Sequence, residues 1–325
     1  RPVFVGPFTI LWPPCPFKRQ WSGRGGAAAR TAIGYGMPTP HRPVAAKGSR
    51  PMPERPKLSV YMLTFNNART VERALQSVAA WADEIVVVDS FSTDATPEIA
   101  RRHATTFLQR PWPGFREQYQ FAADQCRNRW AMFIDADEEI PAPLQQELVE
   151  EWAANQARPG AAQTAAYEIH RRTFFLGRWI RHGGWIPDHE IRLYDRQRGG
   201  WKGGLHAKIH ADGPVRHLRH VYYHYTYKDL GDQLKTIDRY SATDADDQVQ
   251  AGKPFRLVKL LANPLWRLFR DYLLKQGFRD GMPGLLVAVN TAFYVFFKNA
   301  RLWERQRQPR EFPERGFYGE PLQRP

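Results

Sequence analysis

Three apolar runs in this chain each stop on a polar residue that can bind something, and that recurrence constrains the fold more than any other feature. Leu58-Ser59-Val60-Tyr61-Met62-Leu63 ends at Thr64, Glu84-Ile85-Val86-Val87-Val88 ends at Asp89, and Met132-Phe133-Ile134 ends at Asp135. The middle run is continuous and β-branched, as a strand buried on both faces must be. Between the first two runs Val71, Ala74, Leu75, Val78 and Ala79 recur at helical spacing. Thr96-Pro97 opens a second helix with a capping hydroxyl and a proline at its first position. Phe107-Leu108 supplies a short third strand and Phe115 to Trp130 a third helix. Strand–helix alternation of this kind predicts an α/β fold: a mostly parallel sheet flanked by helices, with ligands over the carboxyl edge of the strands.

The third run leads into Asp135-Ala136-Asp137-Glu138-Glu139. On an extended backbone Asp135 and Asp137 project to the same side, close enough to share one divalent cation. A few hard oxygen ligands suit Mg2+ or Mn2+ held jointly with a substrate diphosphate. The first turn lacks the glycine-rich dinucleotide fingerprint, so side chains rather than a phosphate cradle must hold any nucleotide.

Charge is divided along the chain. Residues 1–57 carry ten Lys and Arg against one acid, residues 58–252 carry 23 against 26, and residues 253–325 carry 14 against 6. A nucleic-acid enzyme lines its working cleft with positive charge. Here the motif-bearing middle is mildly acidic, which argues for no nucleic-acid partner and for basic flanks that meet an anionic membrane surface. A polyanion binder is the reading this distribution disfavours. Cys15 and Cys126 lie far apart with no metal-ligand spacing, so a reducing compartment is the default.

Four segments follow. Residues 1–56, rich in Pro, Gly and Arg, are expected to be disordered, with the working protein starting near Met37 or Met52. Residues 57–228 are expected to form the main α/β domain that carries the motifs. Within it a helix near Pro143–Ala154 precedes two half-exposed strands, Tyr167–His170 and Glu190–Tyr194. Between those strands lies the loop Gly183-Gly184-Trp185-Ile186-Pro187-Asp188-His189, and Gly203-Gly204-Leu205-His206 follows, both expected to close over the sheet edge. Residues 229–305 are an amphipathic helical extension, and 306–325 a flexible tail. The apolar run Gly284–Phe297, shorter than the roughly 20 residues a spanning helix needs, suits a helix in the headgroup region or one packed on the domain.

Thr64-Phe65-Asn66, Val87-Val88-Asp89-Ser90 with Ser92-Thr93-Asp94, and Asp135-Ala136-Asp137-Glu138, in that order, resemble the family-two glycosyltransferases of the GT-A fold. Trp185-Ile186-Pro187-Asp188 followed by Leu205-His206 looks like the bacterial branch that builds the lipopolysaccharide core. The resemblance implies Thr64, Asn66 and Asp89 for the nucleotide base and ribose, Asp135 for the ribose or a metal-bound water, and Asp137 for the metal. It further implies His206 as a late metal or diphosphate ligand, with His182, His189 and His224 as competitors. The acceptor base falls to Asp188, with Glu190 second. Trp185 and Trp201 either stack on a sugar ring or pack. Two positions depart from the family pattern. Phe91 stands where a small residue, often glycine, is usual, and Tyr119 where a basic residue is common, which passes the phosphate contact to Arg110 or Arg116. The activity so implied is inverting, metal-dependent transfer of a sugar, as from a UDP-hexose, to a glycolipid such as the lipopolysaccharide core, at the inner face of the cytoplasmic membrane. A polyprenyl phosphate acceptor or a nucleotidyltransferase are the neighbouring alternatives.

Overall fold

The computed structural model describes residues 56–203 and 207–307. The segment expected to be disordered lies outside the described residues except for Pro56, as do His206 and the tail beyond Arg307.

The first half alternates as expected. Strands β1 (Leu58–Thr64), β2 (Glu84–Asp89), β3 (Thr106–Gln109) and β4 (Trp130–Phe133) are parallel neighbours in the order β3-β2-β1-β4. Helices α1 (Val71–Ala79), α2 (Thr96–His103) and α3 (Phe115–Asp124) connect them. Helix α3 stops at Asp124 rather than continuing to Trp130. The next residues turn because the Arg127 and Asn128 amides donate to Glu84 and Ser59 on the neighbouring strands, at 2.8 and 3.1 Å. Thr96 is already helical and not the cap. Asp94 accepts from its amide at 2.9 Å, while the Thr96 hydroxyl accepts from the Asn67 amide at 2.7 Å.

After β4 come β5 (Glu138–Glu139), α4 (Ala142–Gln156), β6 (Ala166–Phe175), β7 (Arg178–Trp179), β8 (His189–Asp195), the hairpin β9 (Gly199–Lys202) and β10 (Lys208–Ala211), and β11 (Val215–His224). The sheet continues β4-β8-β6-β11-β5, with β8 antiparallel to β4 and β6, and β11 parallel to β6. This reversal decides where the chemistry lies. Because β8 runs against β4, its first residues sit beside the carboxyl end of β4, and Met132 pairs with Leu193. The carboxyl ends of β6 and β11 reach the same edge, where His224 pairs with Glu138.

Two cores sandwich the sheet. On one face Val60, Met62, Val87, Met132, Tyr167 and Leu193 meet the apolar sides of α1, α2 and α4. On the other, Tyr61, Val86, Val88, Phe133 and Tyr194 meet α3 and the β9–β10 hairpin. A third, smaller cluster of Phe175, Ile180 and Val287, with Trp185, Tyr227 and Leu286 packed against it, joins the C-terminal helices to the sheet end.

Those helices are α5 (Leu230–Gln250), α6 (Leu257–Phe269), continuing as a π-helical turn over Arg270–Leu274, and α7 (Gly281–Arg307). The apolar run Gly284–Phe297 is only part of a longer helical segment, Gly277–Arg307, which is 31 residues long with mean hydropathy 1.3 in its most apolar window and thus long and apolar enough to cross a membrane. The helix outlasts the run because polar residues extend it while pairing with α5. Beyond the run Arg301 binds Asp238 and Arg305 binds Asp246, and within it Asn290 donates to Gln233. A helix tied along its length to a polar neighbour is a bundle helix.

Strand β11 was not legible as one strand, and its register with β6 shifts between His217 and Val221. The bulge frees backbone donors, and Glu147 on α4 collects them. Its carboxylate accepts from the Arg219 and His220 amides at 2.9 and 2.8 Å and from the His220 ring at 2.8 Å. Burial opposes ionisation, yet these donors outweigh it and hold the carboxyl down to about 2. A depressed carboxyl contributes stability that is complete above its unfolded value and disappears as pH falls through its folded one. Glu147→Gln should therefore cost about 2–3 kcal/mol at pH 7 by chemical denaturation, with the difference from wild type shrinking between about pH 4.5 and pH 2.

Candidate active site at the carboxyl edge

The acid cluster is organised by Arg192 of β8, a residue only 2% exposed. Its guanidinium donates to Glu138 Oε1 at 2.7 Å, to Asp135 Oδ2 at 3.3 Å from both terminal nitrogens, and to the Tyr222 hydroxyl at 3.1 Å. It also pairs with Glu190 Oε2 at 2.8 Å and lies 5.0 Å from the ring centroids of Phe133 and Tyr222. Glu138 in turn accepts from the Asp135 amide at 2.9 Å, closing the turn after β4 around the cation. Arg171 of β6 forms a second bridge. It holds Asp188 Oδ2 at 2.7 Å and stands 3.8 Å from Glu138.

Acids exceed cations here. Asp135, Asp137, Glu138, Asp188 and Glu190 face two guanidinium groups and one imidazole, and the excess shows in the titration behaviour. Burial pushes Asp135 above the ordinary carboxylate value, with Arg192 pulling it down and Asp137 and Glu190 adding to the rise. Glu138 is driven well above by burial despite Arg192. Glu190 is lowered, first by Arg192. Asp137 is different. Burial opposes its charge too, but His224 and Arg171 outweigh that and hold it below the usual range. Asp137 is thus the acid most firmly ionised without a direct guanidinium contact.

His224 Nε2 lies 3.4 Å from Asp137 Oδ2, and its Nδ1 lies 3.3 Å from the Thr173 hydroxyl. This is the histidine that the described structure places beside the acidic motif. His182 is bound to Asp280 at 3.1 Å, far along the C-terminal unit. His189 belongs to a separate group, Glu168, His189 and His217, whose ligand atoms lie within 4.8 Å of one another. Strand alternation puts His189 on the sheet face opposite Glu190, since Ile169 and Glu190 form one cross-strand pair and His170 and His189 the next.

Asp188 lies at the start of β8. Both Arg171 contacts fall on its Oδ2, and the His170 ring meets its backbone carbonyl at 3.0 Å and its amide at 3.3 Å. Among the described residues its Oδ1 has no protein partner, so one oxygen is fixed and the other is open.

Thr64, Asn66 and Asp89 come together at the ends of β1 and β2, bonded to each other's loops. Fully buried Asp89 accepts from Thr64 (2.9 Å), from the Ser92 hydroxyl and amide (2.5 and 2.8 Å) and from Gln109 (3.1 Å). Asn66 Oδ1 accepts the Thr93 amide at 2.8 Å. All four acceptor positions of Asp89 are thereby used, and the two loops become one rigid wall. Phe91, at φ 59°, occupies the left-handed region, which accounts for the small residue expected at its position. Its ring is exposed.

Arg110 is not brought to the acids. It donates to the Glu117 carbonyl at 3.1 Å and stacks 4.3 Å from Phe121, at a shallow depression of about 380 Å³ that Arg116, Gln120 and Trp201 also line. Tyr119 stacks on Trp201 at 4.1 Å, and Trp201 donates to Tyr61 at 2.7 Å. Trp185 packs 5.4 Å from Phe175. These aromatic rings are committed to packing. Sequence reasoning missed Arg192 and Arg171; the signal available was an arginine inside the strand read as half-exposed at Glu190–Tyr194 and another directly after Tyr167–His170.

Residues 59–211 match glycosyl transferase family 2. The lipopolysaccharide core biosynthesis glycosyltransferase LpsC of Rhizobium meliloti is 29% identical over 261 residues, which cover 76% of this chain and 92% of that protein. An uncharacterized glycosyltransferase of Rickettsia bellii is 29% identical over 260 residues, covering 76% and 86%. Among solved structures, the mannosyltransferase PcManGT from Pyrobaculum calidifontis, in complex with GDP-Man and Mn2+, is 17% identical with TM-score 0.45, covering 80% of this chain and 90% of that one.

Removing Arg192 leaves Glu138, 1% exposed, uncompensated. Arg192→Met should destabilise the protein by about 3–5 kcal/mol in chemical denaturation. Arg192→Lys should recover only part of this, because an ammonium cannot reach Asp135, Glu138 and Glu190 in one plane.

Proposed function

We propose that this chain, whose residues 59–211 match glycosyl transferase family 2, moves a sugar, with inversion, from a nucleotide diphosphate carrier to a hydroxyl of a glycolipid of the lipopolysaccharide-core type at the inner face of the cytoplasmic membrane. The observation that carries this reading is the excess of carboxylate at the sheet edge, with Asp137 ionised beside His224 and Asp188 open on one oxygen.

The donor set fits Mg2+ or Mn2+: hard carboxylate oxygens from Asp137 and Asp135, and the His224 imidazole, whose Nδ1 lies 3.3 Å from the Thr173 hydroxyl and whose Nε2 lies 3.4 Å from Asp137. When bound, such a cation supplies positive charge to the departing diphosphate. In this reading His224 takes the part first assigned to His206. The chain's own residues do the rest. The wall of Thr64, Asn66 and Asp89 bounds the nucleotide. Arg192 keeps Asp135 and Glu138 from repelling the diphosphate outright. Asp188 Oδ1 takes the acceptor proton while Arg171 fixes its other oxygen, so that the base is aimed and cannot rotate away.

A screen of nucleotide sugars for thermal stabilisation, with and without Mn2+, tests donor and cation together. We expect stabilisation by one uridine or guanosine diphosphate sugar only with the cation present, and its loss in Asp137→Asn. Cation-independent stabilisation, or an unaffected variant, overturns the assignment. Asp188→Asn should lower transfer by about 10²–10⁴-fold while donor binding is kept. Retained turnover would mean an acceptor that needs no base, as a lipid phosphate would be.

A further inference from the structure

We infer that α6 is a membrane-surface helix that lies in an anionic leaflet and holds the Asp188 loop where a lipid-borne acceptor arrives. None of its residues is buried. Val258, Leu261, Leu265, Trp266 and Phe269 recur at i, i+3, i+7, i+8 and i+11 and are all exposed, Val258 by 75% and Leu265 by 69%. The half-buried positions, Leu260, Pro264 and Leu268, lie on the other side, where α6 packs on α7. A helix of a water-soluble surface turns its apolar stripe inward; this one turns a second stripe outward. Exposed Leu273, Leu274, Phe278 and Met282 prolong the patch.

The charge around the stripe selects the occupant. Arg256 and Lys259 are exposed and have no ion pair among the described residues. Between Lys253 and Arg307 the only acids are Asp271, Asp280 and Glu304, and the two aspartates are buried in ion pairs with Arg267, Arg270 and His182. A second copy would bring like charges together across a two-fold contact, whereas an anionic bilayer meets both the stripe and its rim. At 13 residues, or about 20 Å, α6 is too short to span.

The helix is joined to the site. Its continuation presents the Lys275 carbonyl to the Gly183 amide at 2.8 Å, and Lys275 Nζ donates to the Ile186 carbonyl at 3.1 Å. Asp280 accepts the Arg181 and His182 amides at 2.8 and 2.7 Å. Asp271 approaches so closely that a Cβ on Gly184 would stand 2.1 Å from its carboxylate. The loop ending at Asp188 is therefore fastened to the unit that carries α6. This placement of the acceptor rests on the function proposed above.

Vesicle flotation of the full chain tests it. The protein should float with phosphatidylcholine vesicles containing phosphatidylglycerol, less so as salt is raised, and Arg256→Glu with Lys259→Glu should weaken this about tenfold or more. Val258→Glu with Leu265→Glu should cut the bound fraction at least about tenfold while leaving nucleotide-sugar stabilisation unchanged. Wild type that stays in solution with these vesicles overturns the inference. So does a variant that still floats, or a wild-type dimer that the variant converts to monomer. Loss of donor stabilisation with flotation intact would instead count against the proposed function alone.

Discussion

The edge of this sheet depends on one buried guanidinium. Arg192 lies among carboxylates that could not otherwise share so small a volume, and those carboxylates satisfy donors that could not otherwise be buried. The arrangement fixes three pieces of chain at once: the turn after β4, the start of β8, and through Tyr222 the end of β11. It also sorts the acids. Asp135, Glu138 and Glu190 are occupied by the cation, whereas Asp137, on the far side of the turn, faces His224 instead.

Topology explains why residues so distant in sequence meet. A purely parallel sheet would bring only strand ends to the ligand edge. The reversed strand β8 instead delivers its beginning, so Asp188, Glu190 and Arg192 arrive opposite Asp135. On the far side β5 pairs with the end of β11, which brings His224 next to Asp137. Neighbouring loops are rigid for a similar reason, since the polar groups of Thr64, Asn66 and Asp89 are spent on one another.

The parallel half was legible because its strands are buried on both faces and announce themselves as apolar runs, and because each ends on a residue such as Asp89 or Asp135 whose chemistry is local. The other half was not. Glu190–Tyr194 reads as a strand, but which of its faces meets the acids depends on its pairing with β4, and periodicity carries no information about a partner. The bulged β11 hid for a related reason, because its path is set by Glu147 sixty and more residues earlier. Helix α3 was read too long since the donors that end it, at Arg127 and Asn128, find acceptors on β2 and β1 rather than nearby. The outward stripe of α6 lies within the segment read only as amphipathic, and its exposure needed the structure.

The most direct test of the cation assignment is a crystal of the protein with uridine diphosphate and Mn2+, measured for anomalous scattering at the manganese edge. The account predicts a single strong peak bonded to Asp137 and to His224 Nε2. A peak held instead by Glu168, His189 and His217, with nothing bonded to Asp137, would contradict it.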